Sequence, residues 1–498
     1  MRNGKQYLES LDDGRRVYVN GEKVSNPTEH PAFSGAIRTA ASLYDAALDP
    51  SNDMIFTDPE TGIDANKVFM IPRNYEDLEQ RRQAIISWAS ITKGLMGRSP
   101  DHVGSFIAGF ASAPEVFAEG DPSFANNVKR FYQTMMRDDL YLSYAIIPPQ
   151  VDRSKTAQGQ EDRFTQVGVY EEKDDGIVVR GSQMLATSGA ISNHLFVSCM
   201  PPLRPGDEDY ALSFVVPIDT PGLKLYCRRP YAIGQPSAFD YPLSTRFDES
   251  DALVVFEDVF VPWENVFVYR NVELVRDQFF RAPAHVLGNN QAQTRLIVKL
   301  KFLIGIARKV AATNRIDSIP SVQEKLGDLA SLAAIVEGMV LASEASHVVD
   351  DNGVARPNPR FLYAPMGLQA ELYPRVLHLL REIVGAGVVQ LPSSYKEMVN
   401  PETQSDIERY VKSPDVPSEE RVKLFKLAWD AVGSEFAGRH HQYELFYAGA
   451  PHVAKGYAYR NYGYDEAVEL VESFMGSYGL KDADGYSFDQ EISPAASG

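Results

Sequence analysis

A permanently charged guanidinium, a helix start and an imidazole stand together in Gly97-Arg98-Ser99-Pro100-Asp101-His102. Ser99 can cap a helix whose first turn opens with Pro100, which has no amide hydrogen to leave unpaired, and Asp101 suits the positive helix end. Arg98 is therefore expected just before a helix N-terminus, with His102 about one turn inside. Cation, free backbone N–H groups and imidazole then converge on one spot, which suits an anionic or phenolic oxygen. The plainer alternative is an ordinary capped surface helix. What weighs against it is the company the segment keeps: Pro149-Gln150-Val151-Asp152-Arg153 and Met184-Leu185-Ala186-Thr187-Ser188-Gly189 add an amide, a second arginine and a hydroxyl.

Three kinds of element have to hold these residues. From about Asn74 to Tyr144 apolar residues recur at helical spacing, as in Val128, Phe131, Tyr132 and Met135. Pro148-Pro149 then blocks a helix, and strand-type runs follow: Phe164 to Tyr170, Ile177 to Val179, Leu195 to Ser198, Tyr210 to Val216, Leu223 to Tyr226 and Leu253 to Phe256. Asp174-Asp175-Gly176 is a hairpin turn between the first two. Beyond Asn271 long helices return: Ala292 to Ala312, one opened by a capping box at Ser321 and Glu324, Leu368 to Val384 stopped at Gly385, and Ser418 to about Phe446. The expected layout is α+β, with an N-terminal α-helical domain (1–145), a middle antiparallel β-barrel (146–270), a C-terminal four-helix bundle (271–460) and a tail (461–498) that is mobile from Lys481.

With 498 residues, 44% hydrophobic and 23% charged, the chain reads as an ordinary globular protein. A net charge of -18 argues against nucleic acid or an anionic membrane as the main partner. The polar start Met1-Arg2-Asn3-Gly4-Lys5-Gln6 leads into no apolar core, and no uninterrupted apolar run approaches the ~18 to 20 residues that span a bilayer, so a cytoplasmic location is expected. Cys199 and Cys227 fit a reducing compartment and are too few for a disulfide framework. No Gly-x-Gly-x-x-Gly follows a strand, there is no phosphate-loop lysine, and the nine histidines show no metal-site spacing beyond the adjacent His440-His441, whose side chains diverge on a helix. No metal is expected.

These three segments, together with Val259-Phe260-Val261-Pro262-Trp263-Glu264 and Gly438-Arg439-His440-His441-Gln442-Tyr443-Glu444, resemble the oxygenase component of the 4-hydroxyphenylacetate 3-monooxygenase and chlorophenol monooxygenase family. The likeness runs in order over nearly the whole chain. It implies the acyl-CoA dehydrogenase-like fold and a two-component flavin-dependent monooxygenase. Such proteins take FADH2 from a separate flavin reductase, react it with O2 to a C4a-hydroperoxyflavin, and hydroxylate a phenol ortho or with loss of a ring substituent. Tetramers are the family habit, so a homotetramer is expected.

The resemblance also implies roles. Arg98 matches the arginine at the substrate oxygen and flavin edge. Where the 4-hydroxyphenylacetate enzymes usually have tyrosine and histidine, this chain has His102 and Tyr144, the same donors exchanged, which puts the substrate's identity in question. His285 matches a histidine assigned as base in the chlorophenol-type enzymes, with His102 its rival; an imidazole of pKa ~6.5 can take a proton that a phenol of pKa ~10 gives up only beside a cation. Gln150, Arg153 and Thr187 match contacts to the flavin ring and ribityl chain, and Arg439 matches an arginine lining the site, unless it pairs with Glu435 or Glu444 on its own helix. Arg204 lies in a loop that covers the substrate in the family. The alternative is an acyl-CoA dehydrogenase-like or 4-hydroxybutyryl-CoA dehydratase-like flavoprotein acting on a CoA thioester. The dehydratase needs an iron–sulfur cluster, for which two cysteines are too few.

Overall fold

Helices Ser34–Leu48 (α1), Tyr75–Thr92 (α2), Pro100–Ala111 (α3) and Pro122–Asp138 (α4) occupy the N-terminal third of a computed structural model that describes residues 1–480 apart from Gln235, Pro236 and Ala448. The expected mobile tail at Lys481 to Gly498 lies outside the described residues. Ser99 caps α3 in extended conformation with Pro100 in the first turn. Its hydroxyl makes no capping bond, however, because it donates to Oδ1 of Asp101 at 2.5 Å. All twelve residues of α3 are buried. The helix lies against Ala284–Thr313 (α5), and glycine permits the approach: a Cβ at Gly109 would stand 2.3 Å from Cα of Ala284. Gly109→Ala must therefore push the two helices apart, with an expected loss of about 1–3 kcal/mol. Urea unfolding should show a lower midpoint at unchanged slope, and an unmoved midpoint would mean the helices can part without strain.

Helical spacing does not run on to Tyr144. It stops at Asp138, and Leu142–Ala145 is a strand. The strands of the two larger sheets, in chain order, are Val17–Val19 (β1), Glu22–Lys23 (β2), Leu142–Ala145 (β3), Gly168–Lys173 (β4), Gly176–Thr187 (β5), His194–Val197 (β6), Leu212–Pro217 (β7), Leu223–Cys227 (β8), Asp251–Pro262 (β9) and Val266–Tyr269 (β10). They form a six-stranded sheet in the order β2-β1-β8-β9-β5-β4 and a four-stranded sheet in the order β10-β7-β6-β3. Asp174 and Asp175 make the β4–β5 turn, as the sequence predicts. The sheets are not purely antiparallel: β1 runs parallel to β8 and β3 parallel to β6. Both exceptions come from chain before residue 146, so the sheet region recruits segments the sequence reading had left among helices. Phe214 of one sheet meets Phe256 of the other edge to face, closing the core between them.

The C-terminal helices of ten residues or more are α5, Pro320–Ala345 (α6), Pro359–Val384 (α7), Ser418–Val432 (α8), Glu435–Phe446 (α9), Pro451–Arg460 (α10) and Tyr464–Met475 (α11). The predicted capping box on α6 is not formed; Ser321 already lies inside a helix opened by Pro320. The single helix expected from Ser418 to Phe446 breaks at Gly433-Ser434, where Ser434 caps α9 by accepting from the Ala437 amide. α7 ends at Gly385 with φ +57, as expected, and carries Pro365 and Pro374 inside. By length and composition α6 could cross a membrane, but Glu344 near its end is fully buried in an ion pair with Arg82 at 2.6 Å.

Candidate active site

Strand alternation on β3 brings the first and third segments together. Ser143 points one way, its hydroxyl donating to the Thr187 carbonyl at 2.7 Å, and the Tyr141 hydroxyl donates to the Arg98 carbonyl at 2.9 Å. Tyr144 points the other way, its ring 5.6 Å from that of His102 and 5.1 Å from the Arg98 guanidinium. The trio Arg98, His102 and Tyr144 is thus assembled. The Tyr447 ring lies 4.1 Å and the Tyr443 ring 5.4 Å from the same guanidinium, so a buried cation sits among three tyrosine rings. Those rings and Glu249 outweigh burial and hold Arg98 charged. His102 is pushed the other way, well below the ordinary imidazole value, first by burial and then by Arg98. Its Nδ1 lies 2.9 Å from Oε1 of Gln291 on α5 and 3.5 Å from Arg98 Nη1. Its Nε2 is buried and has no partner, and so is the Tyr443 hydroxyl. The surroundings are otherwise apolar, Phe106 among them.

Glu249 ties the site together: one carboxylate oxygen accepts the Arg98 amide at 2.6 Å and the other accepts Arg439 Nη1 at 3.1 Å. Arg439 does not pair with Glu435 or Glu444 on its own helix. Its remaining nitrogens grip Asp251, at 2.7 and 3.1 Å, because α9 faces the start of β9. Thr187 is committed to the same carboxylate, donating to Asp251 Oδ1 at 2.6 Å. Charged partners on two sides hold the Asp251 carboxyl far below its ordinary range. Two of the expected flavin contacts, Thr187 and Arg439, are therefore bound to protein groups here. Gln150 and Arg153 are exposed and line a cavity of about 330 Å³ with Arg204, Gln166 and Cys199. Met184 bridges to Ile147, which ties that loop to β5.

His285 is elsewhere. It begins α5, where its Nδ1 meets the Tyr363 hydroxyl at 2.9 Å and its ring packs on Phe280 and Tyr457. Burial alone pushes its pKa down to about 3. Among the described residues no hydrogen bond or ring contact joins it to Arg98, His102 or Tyr144; its partners are Tyr363, Phe280 and Tyr457.

Beneath the tyrosines lies a second layer that the sequence reading missed. Arg295 stacks 4.4 Å from the Tyr447 ring and donates to Glu444 at 2.5 and 3.0 Å. Lys299 and Gln369 donate to the same fully buried carboxylate at 2.8 and 2.7 Å. Gln291, Glu249, Asp251 and this cluster were the residues not singled out. The polar run Asn289-Asn290-Gln291 inside an apolar helix was the available signal, since such groups are buried only where partners exist.

The N-terminal model of 4-hydroxyphenylacetate 3-hydroxylase matches residues 3–268 and the C-terminal model matches 275–476. The chain belongs to the 4-hydroxyphenylacetate 3-hydroxylase family. It is 35% identical to the 4-hydroxyphenylacetate 3-monooxygenase oxygenase component of Pseudomonas aeruginosa, covering 95% of this chain and 92% of that protein. It is 36% identical to the oxygenase component of a Rhodococcus 4-nitrophenol 2-monooxygenase, covering 97% and 93%. A crystal structure of a 4-hydroxyphenylacetate 3-monooxygenase oxygenase component with FAD and 4-hydroxyphenylacetate superposes with a TM-score of 0.91 at 34% identity over 96% of this chain and 99% of that one. A cation fixed among aromatic rings, near two buried polar atoms without partners, is suited to hold an aromatic hydroxyl and steer its proton.

Proposed function

We propose that this chain is the oxygenase component of a two-component monooxygenase that uses FADH2 and O2 to hydroxylate a phenolic substrate, with a separate flavin reductase as partner. The observation that carries the reading is the buried Arg98 guanidinium beside the unpartnered Nε2 of His102. Arg98 binds the phenolic oxygen and stabilises negative charge as it develops, His102 accepts the proton, and Tyr144 closes the trio from β3. Gln150 and Arg153 would hold the flavin from the loop cavity, and Thr187 and Arg439 would meet it beside Asp251, to which both are bound here. Reduced FAD supplies, when bound, the electrons that activate O2 for transfer of one oxygen atom. The aromatic walls exclude water, which otherwise diverts the reducing power into peroxide. A homotetramer in the cytoplasm completes the proposal; the domain bounds at 145 and 460 are not kept, because β1 to β3 join the sheets and α11 lies beyond residue 460.

The test is anaerobic addition of FADH2, then O2, with a panel of phenols and analysis of the products. A hydroxylated ring is expected; peroxide alone with every phenol would defeat the reading. Because the Nδ1 of His285 is engaged by Tyr363 and its ring packs on Phe280 and Tyr457, His285→Gln should leave the pH profile of product formation in place, with a loss well under the ~10²-fold of a removed base. A profile displaced by that change would return the base to His285.

A further inference from the structure

Asp101 and Gln291 lie on different helices, and neither is expected to touch a substrate. Yet they form one chain of hydrogen bonds ending at His102. Asp101 Oδ1 accepts the Ser99 hydroxyl at 2.5 Å and Oδ2 accepts the Gln291 amide N–H at 3.0 Å. With the Ser99 hydroxyl on Oδ1 and the Gln291 N–H on Oδ2, Asp101 holds the nitrogen end of the amide and leaves its oxygen facing away. The Gln291 oxygen is thereby aimed at His102 Nδ1, 2.9 Å away. Two lone pairs cannot face each other at that distance, so Nδ1 must carry the hydrogen. A neutral imidazole has one N–H, which leaves Nε2 as a bare acceptor. That is the atom without a partner, on a side chain that is 3% exposed.

We propose that Asp101 and Gln291 are positioning residues that lock the tautomer of His102, so that Nε2 is presented as the acceptor of a phenolic proton; this rests on the phenol-site reading above. Of the two groups at Nδ1, the Gln291 oxygen at 2.9 Å is nearer than the donor Arg98 Nη1 at 3.5 Å; burial and Arg98 keep the resting ring at a single N–H, and the remaining faces meet Phe106, Tyr144 and Tyr447. A lock is needed because the other tautomer would point an N–H at the substrate oxygen. It would bind phenolate already formed and could not take a proton from phenol.

4-Nitrophenol is the probe, since its ionised form absorbs at longer wavelength than its neutral form and its apparent pKa can be read while bound. In Gln291→Met the ring is free to turn its hydrogen onto Nε2 and donate to phenolate, so the bound probe's pKa should fall by about one unit. Asp101→Ala, which releases the Gln291 amide to turn, should move the probe's pKa in the same direction. The Gln291→Met effect should vanish in a His102→Phe background. No fall in Gln291→Met, or a shift that persists without His102, would overturn the lock while leaving the phenol site standing. Probe affinity unchanged by both Arg98→Ala and His102→Phe would instead defeat the phenol-site reading. Nitrogen-15 spectra of the histidine-labelled wild type, assigned by difference with His102→Phe, give a check that needs no Gln291 variant: a protonated Nδ1 and bare Nε2 support the lock, and the reverse overturns it.

Discussion

Arg98→Ala is expected to cut product formation by about 10²- to 10³-fold while consumption of reduced FAD and O2 continues. Two features make the effect this large. The guanidinium is buried among three tyrosine rings, so charge on a substrate oxygen would meet it through little water, where electrostatic stabilisation is strongest. It also helps keep His102 neutral, and a protonated His102 cannot accept. Arg98→Lys should recover only part of the loss, since an ammonium lacks the planar face that lies on Tyr447. Parallel measurement of hydroxylated product and peroxide checks this. Equal loss of product formation and of FADH2 oxidation would show that Arg98 serves flavin binding instead.

The largest effect on stability is expected at Glu444. Its carboxylate is fully buried and takes hydrogen bonds from Arg295, Lys299 and Gln369. Glu444→Ala leaves two buried cations unpaired and should cost about 3–5 kcal/mol, read as a lower denaturation midpoint. The cations hold the Glu444 carboxyl down to about 2. A folded pKa below the unfolded one means the stabilisation is present above about 4.5 and is lost as pH falls toward 2. Lys299 moves against its partner, down to about 8, because burial outweighs its attraction to a carboxylate already shared with Arg295. The carboxylate is therefore the member that gains from the pairing. Wild-type stability should fall steeply on acidification through that window, and Glu444→Gln should flatten the fall. An equally steep curve in Glu444→Gln would place the acid sensitivity elsewhere.

Local chemistry was readable before any coordinates. Ser99-Pro100 starts a helix because proline fixes φ and a serine can sit extended before it, and Asp174-Asp175-Gly176 turns a hairpin for similarly local reasons. The meeting of Arg98, His102 and Tyr144 followed from the order of segments in a recognisable family. Long-range choices were not readable. Nothing in Val17–Val19 names residue 225 as its partner, and nothing in Leu142–Ala145 names His194–Val197 as the strand beside it. Arg439 had a carboxylate one helical turn away in Glu435, yet it chose Asp251, a residue reached only through the packing of α9 on β9. His285 was placed by resemblance, but the helix start turns it toward Tyr363. Gln291 was hidden for the opposite reason: its value lies wholly in two neighbours on another helix.

The parallel pairing of β1 with β8 carries a cost in assembly. Val17 aligns with Leu225, some two hundred residues downstream. Closing so long a loop is entropically slow, and until it closes the outer edge of β8 presents unsatisfied amides to any passing chain. During synthesis the opening segment must wait, extended and unpaired, until most of the first half has emerged. Crowded, rapid overproduction thus favours aggregation at that seam, and slower expression at lower temperature is the remedy the topology itself recommends.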